Sequence, residues 1–249
     1  MVHHEHHGRV TLAVIDRPAR RNAVDHATLI ALAEIVESCV HDGSRALVVT
    51  GSGGAFSAGA DLSGVEGDEF HAALRRVLDG LSTLPIVTIA AVDGVALGAG
   101  TQLAVACDLR TATAESRFGI PAARLGLMID QWTADRLSVL LGSSMARAML
   151  LAAETIDGTT AARLGFVHRL GALPAALAWA EEITQLAPLT IAGHKLMCEQ
   201  SIHPMPAGDD ADRRVAQVQA AYRQAWSSED LAEGRAAFAE KRPPRFKGR

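Results

Sequence analysis

Two stretches of small residues carry the strongest chemical suggestion in this sequence: Phe56-Ser-Ala-Gly-Ala-Asp-Leu62 and Asp93-Gly-Val-Ala-Leu-Gly-Ala-Gly100. Each follows an apolar run and leads into a segment with helical spacing. At such a junction the first N–H groups of the helix have no partners and lie at the positive end of its dipole. Small side chains let a ligand come close to that backbone. Two junctions facing one another make an oxyanion hole, a pair of N–H donors aimed at a carbonyl oxygen that gathers charge. Taken alone, either cluster is more often a tight, close-packed turn. The pair together says more.

Other residues offer weaker leads. Asp130 precedes Gln131-Trp-Thr-Ala, where an aspartate caps a helix; the same carboxylate could act as an acid or base, and both roles can coexist. Ser57, in Ala55-Phe-Ser-Ala-Gly59, imitates the GxSxG nucleophile elbow but lacks its first glycine, which leaves a serine hydrolase as a minor alternative. His168, His194 and His203 have no partner motif and read as structural or exposed. The opening MVHHEHHG could bind metal adventitiously. Its plainer reading is a frayed end before the first strand. No metal site is expected.

The elements that would position these residues alternate at first. Val10–Ile15, Ala46–Thr50, Pro85–Val92 and a stretch near Leu109–Ala112 read as strands. Asp25–Cys39, Glu69–Leu81 and the buried Gly98–Ala106 read as helices between them. That order argues for βα-type units in a layered α/β fold. From Ala134 onward the periodicity is helical: Asp135–Leu141, Ser144–Leu151, Thr159–Leu164, Pro174–Leu186 and Ile191–Glu199, punctuated by glycines. Ile202–Asp212 reads as a loop. A long last helix follows from about Ala211 to Glu240, with Ser227 as the place where it would break. With no repeat or linker, residues 1–249 form one domain: a core over about 1–190 and a C-terminal helical region over about 191–249.

Composition narrows the classes. The chain has 249 residues, about half hydrophobic and 21% charged, with a net charge of −4, so it is globular and lacks the basic face that nucleic-acid binding needs. Asp93 interrupts the longest apolar run, so no membrane span is expected. No basic, then apolar, leader opens the chain. The three cysteines are scattered and odd in number, which fits a reduced, cytoplasmic setting.

Several motifs, in order, resemble the crotonase (enoyl-CoA hydratase/isomerase) superfamily: Asp16-Arg-Pro-Ala-Arg-Arg-Asn-Ala23, Thr50-Gly51, AFSAGADL at 55–62, AAVDGVALGAG at 90–100, Cys107-Asp-Leu-Arg-Thr-Ala, Phe118-Gly-Ile-Pro, Arg124-Leu-Gly-Leu and Ala237-Phe-Ala-Glu-Lys-Arg-Pro-Pro-Arg-Phe246. The resemblance spans roughly residues 9–249. It implies a spiral of ββα units with a C-terminal helical region that assembles homotrimers or dimers of trimers. It also implies an acyl-CoA ligand of fatty-acid metabolism, with no metal or redox cofactor beyond the coenzyme A of the thioester. The oxyanion amides would be those of Ala60 and Ala99.

The departures are as informative. The two positions where family hydratases carry glutamates hold Gln102 and Ala122. Gln102 can hydrogen-bond a water but cannot take its proton, and Ala122 can do neither. The resemblance therefore implies acyl-CoA binding with weak or absent hydratase activity, and leaves open whether the protein is an enzyme. The alternative is an isomerase or hydratase that uses Asp130, where other branches place a working aspartate. Arg20, Arg21, Ala23, Asp61, Leu62, Tyr222, Phe238 and Lys241 are coenzyme A candidates by the same likeness, Lys241 from a neighbouring subunit. Met128 and Trp132 are candidates for the acyl pocket, although core packing would also account for each.

Overall fold

The computed structural model describes residues 1–63, 67–202 and 209–249. Among the described residues, nine strands build two sheets. β1 (Val2–His7), β2 (Val10–Ile15), β3 (Ala46–Gly51), β4 (Val87–Val92), β6 (Leu109–Ala112) and β9 (Arg169–Leu170) form the larger one, in the order β1-β2-β3-β4-β6-β9. β5 (Val95–Leu97), β7 (Arg117–Gly119) and β8 (Thr155–Asp157) form the smaller, in the order β5-β7-β8. Within the larger sheet β1 is antiparallel to β2, and the remaining pairs are parallel.

The helices are α1 (His26–Ser38), α2 (Asp68–Thr83), α3 (Ala99–Ala106), α4 (Gln131–Leu151), α5 (Gly158–Arg163), α6 (Leu173–Thr184), α7 (Pro188–Ile202), α8 (Asp209–Trp226) and α9 (Glu229–Glu240). The layered α/β reading of the sequence holds. One face of the large sheet packs through Ala13, Ile15, Leu47 and Val49 against α1, α2, α3 and α4. The other face packs through Val10, Leu12, Val14 and Val48 against α6. Strands buried on both faces explain the apolar runs over residues 12–15 of β2 and 46–49 of β3.

The opening histidine tract is a correction. It is not frayed but forms β1, paired residue by residue with β2 from Val2↔Ile15 to His7↔Val10. Backbone pairing orders it although five of its six residues are exposed. The last long helix does break, as α8 and α9, where the Ser228 hydroxyl caps α9 by accepting the Leu231 N–H at 3.1 Å. Gly142, at φ 76° and ψ 148°, kinks α4 between the two helical stretches expected there. Most of the expected 202–212 loop, with His203, lies outside the described residues; Asp209–Asp212 already belong to α8.

α2 shows how the sequence aims its side chains. Apolar residues at Phe70, Ala73, Leu74, Val77, Leu78 and Leu81 repeat at helical spacing and are all buried. Full burial of each large side chain contributes about 1.5–3 kcal/mol. Phe70, Leu74 and Leu78 from this helix also line a cavity next to α3.

Candidate functional site

The cavity has a volume of about 530 Å³ and lies where the 55–62 segment meets the start of α3. Its wall includes Ala60, Ala99, Gln102, Ala122, Met128 and Asp130, so residues scattered through the sequence converge here.

The two amides expected to donate, those of Ala60 and Ala99, belong to residues that border the cavity. Val24 forms a parallel bridge to Ala60: its N–H donates to the Gly59 carbonyl at 2.8 Å, and its own carbonyl accepts the Asp61 N–H at 2.8 Å. That bridge uses the groups flanking Ala60, so the N–H of Ala60 points the other way. Ala99 is the first residue of α3, and its N–H has no acceptor within the helix.

The glycines bring the two segments together. Gly59 has φ 110°, open to glycine, and a Cβ there would meet the Leu97 carbonyl at 2.9 Å and lie 3.7 Å from the Ala99 nitrogen. A Cβ on Gly100 would collide with the Ser57 carbonyl. Close approach of the two backbones thus accounts for the small residues in both clusters.

The 17–24 loop supports the first amide. Arg21 and Asn22 are both left-handed, and the Arg21 carbonyl accepts the Ala58 N–H at 2.9 Å. Buried Asn22 donates to the Ser52 and Ala55 carbonyls at 2.7 and 2.6 Å. Arg17 bonds to the Ala23 carbonyl and pairs with Asp25 at 2.7 Å and Asp61 at 3.3 Å. Hydrogen bonds from Ser63, with the charges of Arg20 and Arg17, hold Asp61 below the usual carboxylate range. Arg20, Arg21, Ala23, Asp61 and Leu62 are thereby gathered beside Ala60. Tyr222 and Phe238 are not; they line a separate apolar groove of about 780 Å³ among α7, α8 and α9, and Lys241 ends α9.

On the far wall Gln102 is buried, and its Nε2 donates to the Thr133 hydroxyl at 2.8 Å. Asp130 does cap α4, its Oδ1 accepting the Thr133 N–H at 3.0 Å. Its Oδ2 lies 3.6 Å from Nη1 of Arg75. Arg75 also forks onto Asp79 and lines the cavity, as does His71; neither was singled out from the sequence. The i,i+4 spacing of Arg75 and Asp79 was the one visible signal.

The two acyl-pocket candidates differ in place. Met128 is 94% exposed at the cavity rim. Trp132 is buried in the core, its ring between the guanidinium groups of Arg75 and Arg136 at 4.8 and 4.5 Å, and is not part of the described cavity wall. Ser57 is fully buried, and its hydroxyl accepts the Gly59 N–H at 3.2 Å. It is a structural serine with no open approach for a substrate, against the hydrolase alternative. His168 packs near Trp179, with ring centres 6.1 Å apart and Nδ1 accepting the Arg110 N–H at 3.2 Å. His194 lines the C-terminal groove.

Two small-residue strand-to-helix junctions over an apolar cavity, in a spiral of short strands and helices, define a protein of the crotonase-like α/β fold. The enoyl-CoA hydratase/isomerase profile matches residues 5–249, and the chain belongs to that family. It is 40% identical to the probable enoyl-CoA hydratase echA6 of Mycobacterium leprae, over 94% of each chain. It is 35% identical to the 2,3-dehydroadipyl-CoA hydratase of Escherichia coli K12, over 97% of this chain and 96% of that one. Among solved structures, enoyl-CoA hydratase EchA1 from Mycobacterium marinum superposes with a TM-score of 0.85 at 34% identity, covering 100% of this chain and 99% of that one. No helix among the described residues is long and apolar enough to cross a membrane.

Proposed function

We propose that the protein binds a fatty enoyl-type acyl-CoA thioester, its carbonyl oxygen between the Ala60 and Ala99 amides, with hydratase activity weak or absent. The composition of the cavity wall carries this reading. Ala60 and Ala99, whose backbone amides can donate, border it, most other lining residues are apolar, and an amide and a methyl occupy positions 102 and 122. A positioned acid or base is worth about 10²–10⁴ in rate, so its absence at both positions disfavours efficient hydration. The amides alone still polarise a thioester, and any chemistry passes through the enolate they stabilise.

A second reading rests on Asp130, the one carboxylate among the described lining residues. Its carboxylate would move a proton at the acyl chain and make the protein an isomerase or hydratase. A panel of saturated and unsaturated acyl-CoAs, scored for binding and for turnover, separates the two. Asp130→Asn keeps a good capping residue. Loss of an isomerase-type activity in this variant, with affinity intact, favours the enzyme; no turnover across the panel favours the carrier. No measurable acyl-CoA affinity overturns both.

The coenzyme A nucleotide would meet Arg20 and Arg21, whose guanidinium groups suit phosphates. Tyr222, Phe238 and Lys241 would reach it from a neighbouring subunit of a homotrimer or dimer of trimers. Phe238 is 88% exposed beside the apolar groove, a surface consistent with such packing. Light scattering that finds a monomer at micromolar concentration would overturn the assembly.

A further inference from the structure

The four histidines of the opening tract take no part in the cavity, yet the fold sorts them. β1 is the outermost strand of the larger sheet. Successive side chains of a strand point to opposite faces, so His4 and His6 share one face with Val2, while His3, Glu5 and His7 share the other.

On the first face the two imidazole rings have centres 5.3 Å apart and planes at 82°. An ion about 2.0–2.1 Å from one nitrogen of each ring needs ring centres roughly 5 Å apart. His6 is also held for ligation. It stands opposite Thr11, whose buried hydroxyl lies 3.2 Å from Nδ1 and 2.6 Å from the Ser44 hydroxyl. A ligating histidine usually has its other ring nitrogen fixed in this way, which leaves Nε2 for the ion. His4 is opposite Ala13, whose methyl leaves the exposed ring room to turn. On the other face Glu5 already engages Nε2 of His7 at 3.4 Å.

We propose that His4 and His6 form a two-imidazole site for a divalent transition-metal ion of the zinc class, at the outer edge of the larger sheet. No group of three or more His, Cys, Asp or Glu side chains converges among the described residues, so water completes the coordination. Imidazole and water suit Zn²⁺ better than they suit hard cations such as Mg²⁺. The site is independent of acyl-CoA binding.

Zinc chloride titrated calorimetrically into the full chain, and into its four single His→Ala variants, tests the assignment. One Zn²⁺ per chain is expected. Affinity should fall roughly tenfold or more in His4→Ala and His6→Ala and stay nearly unchanged in His3→Ala and His7→Ala. Zinc should also slow amide hydrogen exchange across β1 in the wild type. A disordered histidine-rich tail would treat the four residues alike. Equal losses in all four variants, zinc binding that survives the His4→Ala/His6→Ala pair, or no zinc binding by the wild type would each overturn the proposal.

Discussion

Gln102 Nε2 donates to the hydroxyl of Thr133 at 2.8 Å, which joins α3 to α4 across the back of the cavity. The Thr133 backbone N–H in turn donates to Asp130. One threonine thus holds two polar residues of the cavity wall, Gln102 through its hydroxyl and Asp130 through its N–H. The amide at position 102 is thereby fixed as part of the wall.

The amide of Ala99 can be removed without removing a side chain. Ala99→Pro places proline at the first position of α3, where helices accept it because that N–H has no helical partner. Acyl-CoA affinity should drop and any turnover should fall by about 10²–10³, the typical cost of one oxyanion donor. Circular dichroism should stay native. Unchanged affinity in a folded Ala99→Pro protein would exclude this amide from ligand binding.

Stability should depend on a buried ion pair far from the amides. Lys195 Nζ donates to Asp108 at 2.8 Å and to the Leu81 and Ile86 carbonyls at 2.9 and 3.0 Å, fastening α7 to the end of α2 and the start of β4. Burial pushes the Asp108 carboxyl up, and the Lys195 charge pulls against that. Lys195→Met should cost about 3–5 kcal/mol in urea unfolding, because it leaves a buried carboxylate without its cation. Adding Asp108→Asn should recover part of the loss. A cost below about 1 kcal/mol would mean that water reaches the site.

The pH profile should carry the mark of His168. Burial first, then the charge of Arg110, push its imidazole down to about 4 from the ordinary 6.5. The folded state therefore takes up this proton less readily than the unfolded one. Stability is complete above about pH 6.5 and declines as the pH falls toward 4. In His168→Gln, whose side-chain oxygen can still accept the Arg110 N–H, the fall in urea midpoint between pH 7 and pH 5 should be smaller. An identical fall in both proteins would assign the acid sensitivity elsewhere.

The sequence was most legible where backbone packing restricts residue type. Close approach dictates glycine at 59 and 100, and a positive φ does so at 98, demands that are visible in residue type. The partners of Asp130 and Gln102 were not visible, because Arg75 and Thr133 come from other helices and only folding brings them near. The short strands β5, β7 and β8 were missed for a related reason. Three residues are too few to show a period, and their pairing is wholly long-range. β1 was hidden by its exposure, since an outer strand need not alternate apolar with polar.

Positions 102 and 122 give the most direct test of the proposed chemistry. Wild-type hydration of crotonyl-CoA should be far slower than that of a relative with both glutamates, since each acid or base typically contributes about 10²–10⁴. Gln102→Glu restores one carboxylate in a wall position already fixed through Thr133, whose hydroxyl can donate to it. Ala122→Glu supplies the second from the 3-10 turn at Pro121–Arg124, which borders the same cavity. Two carboxylates on one water act as a unit, so the double variant should gain more than the single changes combined. Binding should change little in either single variant, because the amides of Ala60 and Ala99 are untouched. If the unaltered protein hydrates crotonyl-CoA rapidly and keeps that rate in Asp130→Asn, then the water is activated by a group outside this set, and the account of positions 102 and 122 fails.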